Sequence, residues 1–195
     1  MTPTTPPRPA PTPGPTPSDG AGAGLSPLER LIAHDEIRQL VSRYAVAVDA
    51  RDLDTLVSLF VPQVRVGRSR QGHAALREDF ERSLGAVGVT ILQVGTQVVD
   101  LVDADHATGT VYCSGQVEDG DRWIHQSIVY HDTYTRHEGR WCFVRRVHEL
   151  FHGVAAPTHP RRQHAANWPE HADGVGTAPE SFGTWAAFWN ERPPR

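Results

Sequence analysis

The chain has 195 residues, a hydrophobic content of 38% and a formal net charge of -4 at pH 7, which fits one globular domain with an ordinary core. The negative charge argues against a nucleic-acid-binding protein, which usually presents a basic face. All 19 basic residues are arginine, so no lysine is available for Schiff-base chemistry, pyridoxal phosphate attachment or a P-loop.

Cys113 and Cys142 are the two cysteines, and each stands alone in an apolar, strand-like run. Isolated cysteines do not form a disulfide framework, so we expect a reducing, cytoplasmic location. No apolar run approaches the roughly 18 residues of a membrane span. The N-terminus also lacks the apolar stretch of a signal peptide. We therefore expect neither a membrane nor a nucleic acid as partner.

Residues Met1–Leu25 contain mostly Pro, Thr, Gly and Ala, which predicts a disordered tail, with a docking tail as the alternative. Ser26 and Glu29 form a capping box around Pro27, which predicts the start of a helix. We place one domain at residues 26–153 and an extension at residues 154–195.

The segment Glu36–Phe60 reads EIRQLVSRYAVAVDARDLDTLVSLF. Its apolar residues recur at helical spacing up to Val48, which predicts a helix that ends near Asp49. Asp52 then caps a second, short helix. A short extended piece at Val64–Val66 and a third helix at Ala74–Leu84 follow.

From Val87 onward the apolar pattern is that of strands. We predict these at Thr90–Leu101, Ala107–Val117, Trp123–Arg136 and Arg140–His152, the last three joined by tight polar turns into an antiparallel meander. Helices followed by strands indicate an α+β fold with the helices on one face of a curved sheet. The extension contains several aromatic residues and a possible short helix at Phe182–Trp189. It packs on the domain, closes a pocket or meets a second subunit.

This order of elements resembles the NTF2-like superfamily, and within it the SnoaL-like group of small cyclases, dehydratases and isomerases. The resemblance rests on the opening helix pair, on the segment YHDTYTRHEGRWCFVRRVHELF and on the distance between them. It implies a cone of three helices and a mostly antiparallel sheet around an apolar pocket. It also implies that many different reactions occur on this fold.

The resemblance also implies particular site residues. Dehydratases and dehydrochlorinases of the group pair an aspartate on the first helix with a histidine on the first long strand. Asp49 matches the aspartate, whereas Gln93 stands at the histidine position. Tyr44 matches a helix position that carries tyrosine or lysine in some members, and Arg146 matches an arginine that faces the pocket.

Asp49 lies at the end of an apolar helix face, where burial and the negative end of the helix both raise a carboxyl pKa. A proton acceptor near neutral pH is one interpretation. The other is an acid that bonds a backbone amide or an arginine.

Arg146, His148, Leu150 and His152 alternate along the last strand, so we expect them to share one face. His148 then replaces the histidine missing at position 93. The alternatives are a core histidine and, for Arg146, a structural ion pair. The sequence His148-Glu149-Leu150-Phe151-His152 also spells H-E-x-x-H, but it continues a strand rather than a helix, which argues against a zinc protease. A metal-dependent enzyme that uses His148 and His152 from one face of the strand is a third hypothesis.

We predict a cofactor-independent acid–base enzyme, without a metal, that acts on a small apolar molecule by dehydration, isomerisation or ring closure. Its catalytic residues are Asp49, His148, Tyr44 and Arg146, and this hypothesis requires Asp49, Arg146 and His148 to converge on one pocket. The predicted substrate-binding residues are Gln93, Tyr130, Ile91, Cys113, Ile128 and Leu150. A homodimer is expected. The alternative is a non-catalytic module for small-molecule binding or dimerisation.

Overall fold

The computed structural model describes residues 24–191 of the chain. Three helices come first: α1 at Pro27–Ala50, α2 at Leu53–Ser58 and α3 at His73–Gly85. The two-residue strands β1 at Arg65–Val66 and β2 at Arg70–Gln71 lie between α2 and α3. The predicted tail at residues 1–25 lies almost wholly outside the described residues.

Four long strands form one antiparallel sheet in the order β3-β4-β5-β6. They span Thr90–Leu101, His106–Asp119, Arg122–His137 and Arg140–Ala155, and a last helix, α4, spans Gly183–Asn190. The α+β prediction, the meander and the order of the elements are confirmed. No helix among residues 24–191 is both long enough and apolar enough to cross a membrane.

The helix starts follow the predicted capping chemistry. The Ser26 hydroxyl accepts a hydrogen bond from the Glu29 amide at 3.3 Å, and the Glu29 carboxylate accepts one from the Ser26 amide at 2.7 Å. Asp52 caps α2 by accepting from the Thr55 amide at 3.0 Å. Both caps satisfy amides that have no partner within the helix.

The main core lies between α1 and the inner face of the sheet. Ile37 and Val41 of α1 are buried against Val111 of β4 and Ile128 of β5. Both cysteines, Cys113 and Cys142, are buried as free thiols. The inner face is therefore the one that β4 and β5 present to α1.

The C-terminal extension packs on the other side of the molecule. Trp123 at the start of β5 is buried together with Val89 and Trp185. Phe188 of α4 fills a second cluster with Val48 and Leu56. The extension therefore docks on the domain, and α4 covers the end of α1 and the neighbouring face of α2.

Candidate functional site

A buried ion pair lies at the centre of the sheet's inner face. Arg146 of β6 donates from Nε to Asp132 Oδ1 at 2.8 Å and from Nη2 to Asp132 Oδ2 at 2.6 Å. The exposed fractions of the two side chains are 4% and 0%. Tyr134 donates its hydroxyl to the same carboxylate at 2.8 Å. Asp132 therefore holds Arg146 in one orientation by a bidentate, charge-assisted contact.

Aromatic rings enclose the Arg146 guanidinium. Its central carbon lies 4.4 Å from the ring centroid of Tyr44, 4.3 Å from that of Tyr130 and 4.4 Å from that of Phe143. Burial lowers the pKa of Arg146, but the hydrogen bonds and the charge of Asp132, with Tyr44 and Tyr134, together raise it above its usual value, so the side chain stays charged. Its Nη1 makes no well-formed hydrogen bond within the described part of the chain. One strong donor is thus left over in an apolar enclosure.

A cavity of about 1000 Å³, which we call the cone cavity, opens beside this arginine. It lies between α3, β1 and the middle of β6. Its walls include Tyr44, Tyr130, Arg146 and His148. Four of the predicted site residues therefore converge on one cavity of the size that small organic molecules occupy.

His148 lies at the edge of the cone cavity, with its ring centroid 5.4 Å from that of Tyr130. Partial burial lowers its pKa below 6.5, and the positive charge of Arg146 lowers it further. The imidazole is therefore neutral at pH 7 and able to accept a proton. Burial also raises the pKa of Tyr44 and of Tyr130, so both phenols stay protonated and act as hydrogen-bond donors.

Three other predicted substrate-binding residues take different places on the inner face. Cys113 and Ile128 are buried in the main core rather than in the wall of the cone cavity. Burial raises the pKa of Cys113 to about 11, so it is a thiol and not a nucleophile at neutral pH. Leu150 pairs with Ile128 across the sheet and is half exposed.

Asp49 does not join these residues. It lies at the end of α1 against β3, which is an edge strand of the sheet. Its Oδ1 accepts from the Thr90 hydroxyl and its Oδ2 accepts from the Leu92 amide, each at 2.9 Å. Asp49 thus satisfies a backbone donor on the free edge of β3, where no strand is available to do so.

Asp49 lines a second cavity, of about 460 Å³, at the edge of β3. We call it the outer cavity, because the sheet's outer face and the C-terminal extension form it. Burial raises the pKa of Asp49 to about 6, although the bonds from Leu92 and Thr90 and the charge of Arg51 lower it. The expectation that Asp49, Arg146 and His148 share one pocket is wrong, since α1 delivers Asp49 to the outer cavity instead.

Gln93 and Ile91 share one face of β3, as predicted, but it is the outer face. Leu92 and Val94 pack against the main core, so side-chain alternation turns residues 91 and 93 away from it. Gln93 is exposed, and Ile91 lines the outer cavity with Asp49. Neither residue reaches the cone cavity.

His152 also differs from the expectation. The pairing of β5 with β6 shifts between Ser127–His152 and Ile128–Leu150, which leaves Phe151 as an extra residue. This β-bulge reverses the alternation, so His152 faces outward beside Ser127, at 3.4 Å from its hydroxyl. His148 and His152 therefore lie on opposite faces and do not form a pair of metal ligands.

Two important residues were not predicted from the sequence. Asp132 follows Tyr130 by two positions, so strand alternation places it on the inner face, and that signal was available. Arg51 is 1% exposed, adopts φ 56° at the end of α1, and donates to the carbonyls of Val48 and Gly88 and to Thr90 Oγ1. No sequence pattern indicates a buried arginine at a helix end, where glycine is usual.

A family model for the SnoaL-like domain matches residues 29–147, which is more than half of the chain. The chain belongs to the SnoaL-like family. A search of curated proteins finds no match.

Solved structures of other proteins have the same fold as this SnoaL-like chain. A provisionally named scytalone dehydratase from Novosphingobium aromaticivorans is 17% identical, with a TM-score of 0.60 over 69% of this chain and 94% of that one. The hexachlorocyclohexane dehydrochlorinase LinA-type3 from Novosphingobium barchaimii is 20% identical, with a TM-score of 0.61 over 68% and 95%. A type 2 LinA dehydrochlorinase is 24% identical, with a TM-score of 0.60 over 69% and 96%.

These matches cover nearly the whole of each neighbour but leave part of this SnoaL-like chain unmatched. The family match ends at residue 147, before the extension begins. These solved structures, which include a named dehydratase and two dehydrochlorinases, share this fold. The fold is consistent with the binding of a small molecule. The homodimer and the cytoplasmic location stay predictions.

Proposed function

We propose that the cone cavity is the active site of a cofactor-independent acid–base enzyme in which His148 is the base. The version of this mechanism that required Asp49 in the same pocket as Arg146 and His148 is rejected, because Asp49 does not line this cavity. Its substrate is a small, largely apolar molecule with a carbonyl group, such as a polyketide, terpenoid or steroid-like metabolite. The reaction is a dehydration, an isomerisation or a ring closure. The observation that carries the proposal is the charged Arg146, held by Asp132, beside the neutral imidazole of His148 in one cavity.

In this mechanism His148 removes a proton from the carbon next to the carbonyl. The electron pair of the broken C–H bond moves toward the carbonyl oxygen, which becomes an enolate oxygen. The positive charge of Arg146 stabilises that oxygen, and Tyr130 is placed to donate its hydroxyl to it. His148 then returns the proton to carbon or to a leaving hydroxyl. Asp132 acts as a positioning residue, because it holds Arg146 and does not line the cavity.

The test uses 2-tetralone, an apolar ketone with exchangeable α-protons, as the probe in deuterated buffer. Proton NMR follows the loss of the α-proton signal. We expect the protein to accelerate the exchange, and His148→Gln to lower the rate by about 100-fold or more, the usual contribution of a general base. His131→Gln is the matched control, because His131 lies exposed on the outer face.

The rate should also depend on pH in a defined direction. The pKa of His148 lies below 6.5, so its neutral form persists through mildly acidic pH. The exchange rate should therefore be level from pH 8 to about 6.5 and fall only below that range. A rate that His148→Gln does not change would contradict the assignment of the base.

The second candidate is a non-catalytic small-molecule-binding module. The positions of Asp49 and Gln93 favour it, because neither lies in the cone cavity. If 2-tetralone binds saturably in the cone cavity but its α-protons do not exchange faster than in buffer, this second function is supported and the enzymatic one is rejected.

A further inference from the structure

The outer cavity differs from the cone cavity in both walls and chemistry. One wall is the end of α1 and the edge of β3, with Val46, Asp49 and Ile91. The facing wall comes from residues 160–182 of the C-terminal extension, including Pro160, Val175 and Phe182. Its volume of about 460 Å³ lies within the range of small-ligand sites.

The extension that forms this facing wall lies outside the family match at residues 29–147. It is held in place by specific contacts. Thr184 donates its hydroxyl to the Ala50 carbonyl at 2.8 Å, and Arg161 bonds the Ala178 carbonyl and the Glu180 carboxylate. Trp185 packs on Arg51 at 4.9 Å from its guanidinium carbon. The outer cavity is therefore a built feature of this chain.

Asp49 is the acidic group in the wall of the outer cavity. Each of its oxygens accepts one hydrogen bond from the protein, and an ionised carboxylate oxygen has room for a second. The charge of Arg51 acts on Asp49, but the Arg51 side chain donates to Val48, Thr90 and Gly88 and does not line the cavity. Arg161, the cation in the wall, is paired with Glu180. Within residues 24–191 the Asp49 carboxylate therefore forms no direct ion pair, and most of the residues around it in the cavity wall are apolar.

We propose that the outer cavity is a second ligand-binding site, and that its ligand is a small apolar amine. The ammonium group donates to the free positions of the Asp49 carboxylate. The apolar body lies between Ile91 and Phe182. A neutral molecule of the same shape fits the walls but leaves the partly buried carboxylate without a counter-charge.

The charged groups around Asp49 fix how binding should depend on pH. Arg51 and Arg161 are the cations near Asp49, and a guanidinium group is not deprotonated in proteins. His159 contacts Glu118 at 3.5 Å, its ring lies 5.5 Å from that of Trp123, and neither His159 nor Glu118 lines the cavity. The group that changes charge within the cavity is therefore Asp49, which must be ionised to pair with an ammonium. Binding should tighten as the pH rises from 5 to 7.5.

The experiment measures binding of 2-phenylethylamine and of its neutral analogue 2-phenylethanol to the full chain by calorimetry at pH 7.5. We expect the amine to bind at least about tenfold more tightly than the alcohol, the effect of a charge-assisted bond. Asp49→Asn should abolish this preference. Asp54→Asn is the matched control, because Asp54 is an exposed carboxylate on neighbouring α2 and lies outside the cavity.

Ile91→Trp provides an independent test that keeps Asp49 and its bonds in place. The larger side chain fills the outer cavity and should weaken both ligands, while His148→Gln in the cone cavity should affect neither. The proposal is overturned if the amine binds no better than the alcohol, if Asp49→Asn leaves the preference unchanged, or if Ile91→Trp leaves amine binding intact.

Discussion

Asp132 receives hydrogen bonds from Nε and Nη2 of Arg146 and from the hydroxyl of Tyr134. The energetic cost of removing both charges from water is offset only while this geometry is complete. Asp132→Ala should therefore lower the free energy of unfolding by about 3–5 kcal/mol, because it leaves the Arg146 charge buried without a partner. Urea denaturation followed by tryptophan fluorescence measures the loss.

The double variant Asp132→Leu with Arg146→Met is the control for this prediction. It removes both charges and replaces them with apolar side chains of comparable size. It should be more stable than Asp132→Ala alone, since no uncompensated charge remains. If it is less stable than the single variant, the burial of charge is not what Asp132 controls.

The residues of the site show which predictions a sequence supports. Tyr44, Tyr130, Arg146 and His148 line one cavity, and strand alternation alone puts Arg146 and His148 on one face. Their roles in a reaction stay predictions. Asp49 lies in the last turn of α1, and its carboxylate is held by the Thr90 hydroxyl and the Leu92 amide on β3, a contact between elements that helical periodicity does not predict.

At the scale of secondary-structure elements, the short helix α4 anchors the end of the extension to the domain. Phe188 of α4 is 6% exposed and packs among Ala47, Val48, Leu53, Leu56 and Leu84. An isolated helix of eight residues is not stable in water, so α4 depends on this contact.

Phe188→Ala should therefore release α4 from the domain without unfolding the domain itself. The lost contact is worth about 3–5 kcal/mol, enough to make the docked form of α4 the minor one. Hydrogen exchange measured by mass spectrometry should show lost protection at residues 183–190 and retained protection in β4 and β5. Trp168→Ala is the control, because Trp168 is 76% exposed and should have no effect.

The β-strands show where prediction from sequence stops. Strand bounds follow closely from alternation and turn residues, and β3 begins and ends where it was predicted. The β-bulges cannot be predicted from the same pattern. An extra residue such as Val144 or Phe151 is stabilised by the partner strand and leaves no local signal in the sequence. One bulge lets Phe143 and Arg146 share the inner face, and the other turns His152 away from His148.

At the scale of the whole molecule, the protein consists of a cone and an extension that covers part of the sheet's outer face and the ends of the helices. The main core cluster draws its buried residues from positions 33 to 143, so it includes none from the extension. The cone cavity likewise takes its walls from residues 44 to 148. The outer cavity, by contrast, depends on residues 160–182 for one side.

A chain that ends at Ala155 should therefore fold and keep one site while losing the other. We expect far-UV circular dichroism of a folded domain and 2-tetralone exchange close to the full-length rate, because no residue of the extension lines the cone cavity, although Phe188 packs near Tyr44 and Phe80 of its wall. The melting temperature should fall, since Trp123, Leu53 and Leu84 lose their apolar cover. Binding of 2-phenylethylamine should disappear. A folded truncated chain that loses ketone exchange, or that still prefers the amine, would show that the two cavities are not the separate sites that their walls indicate.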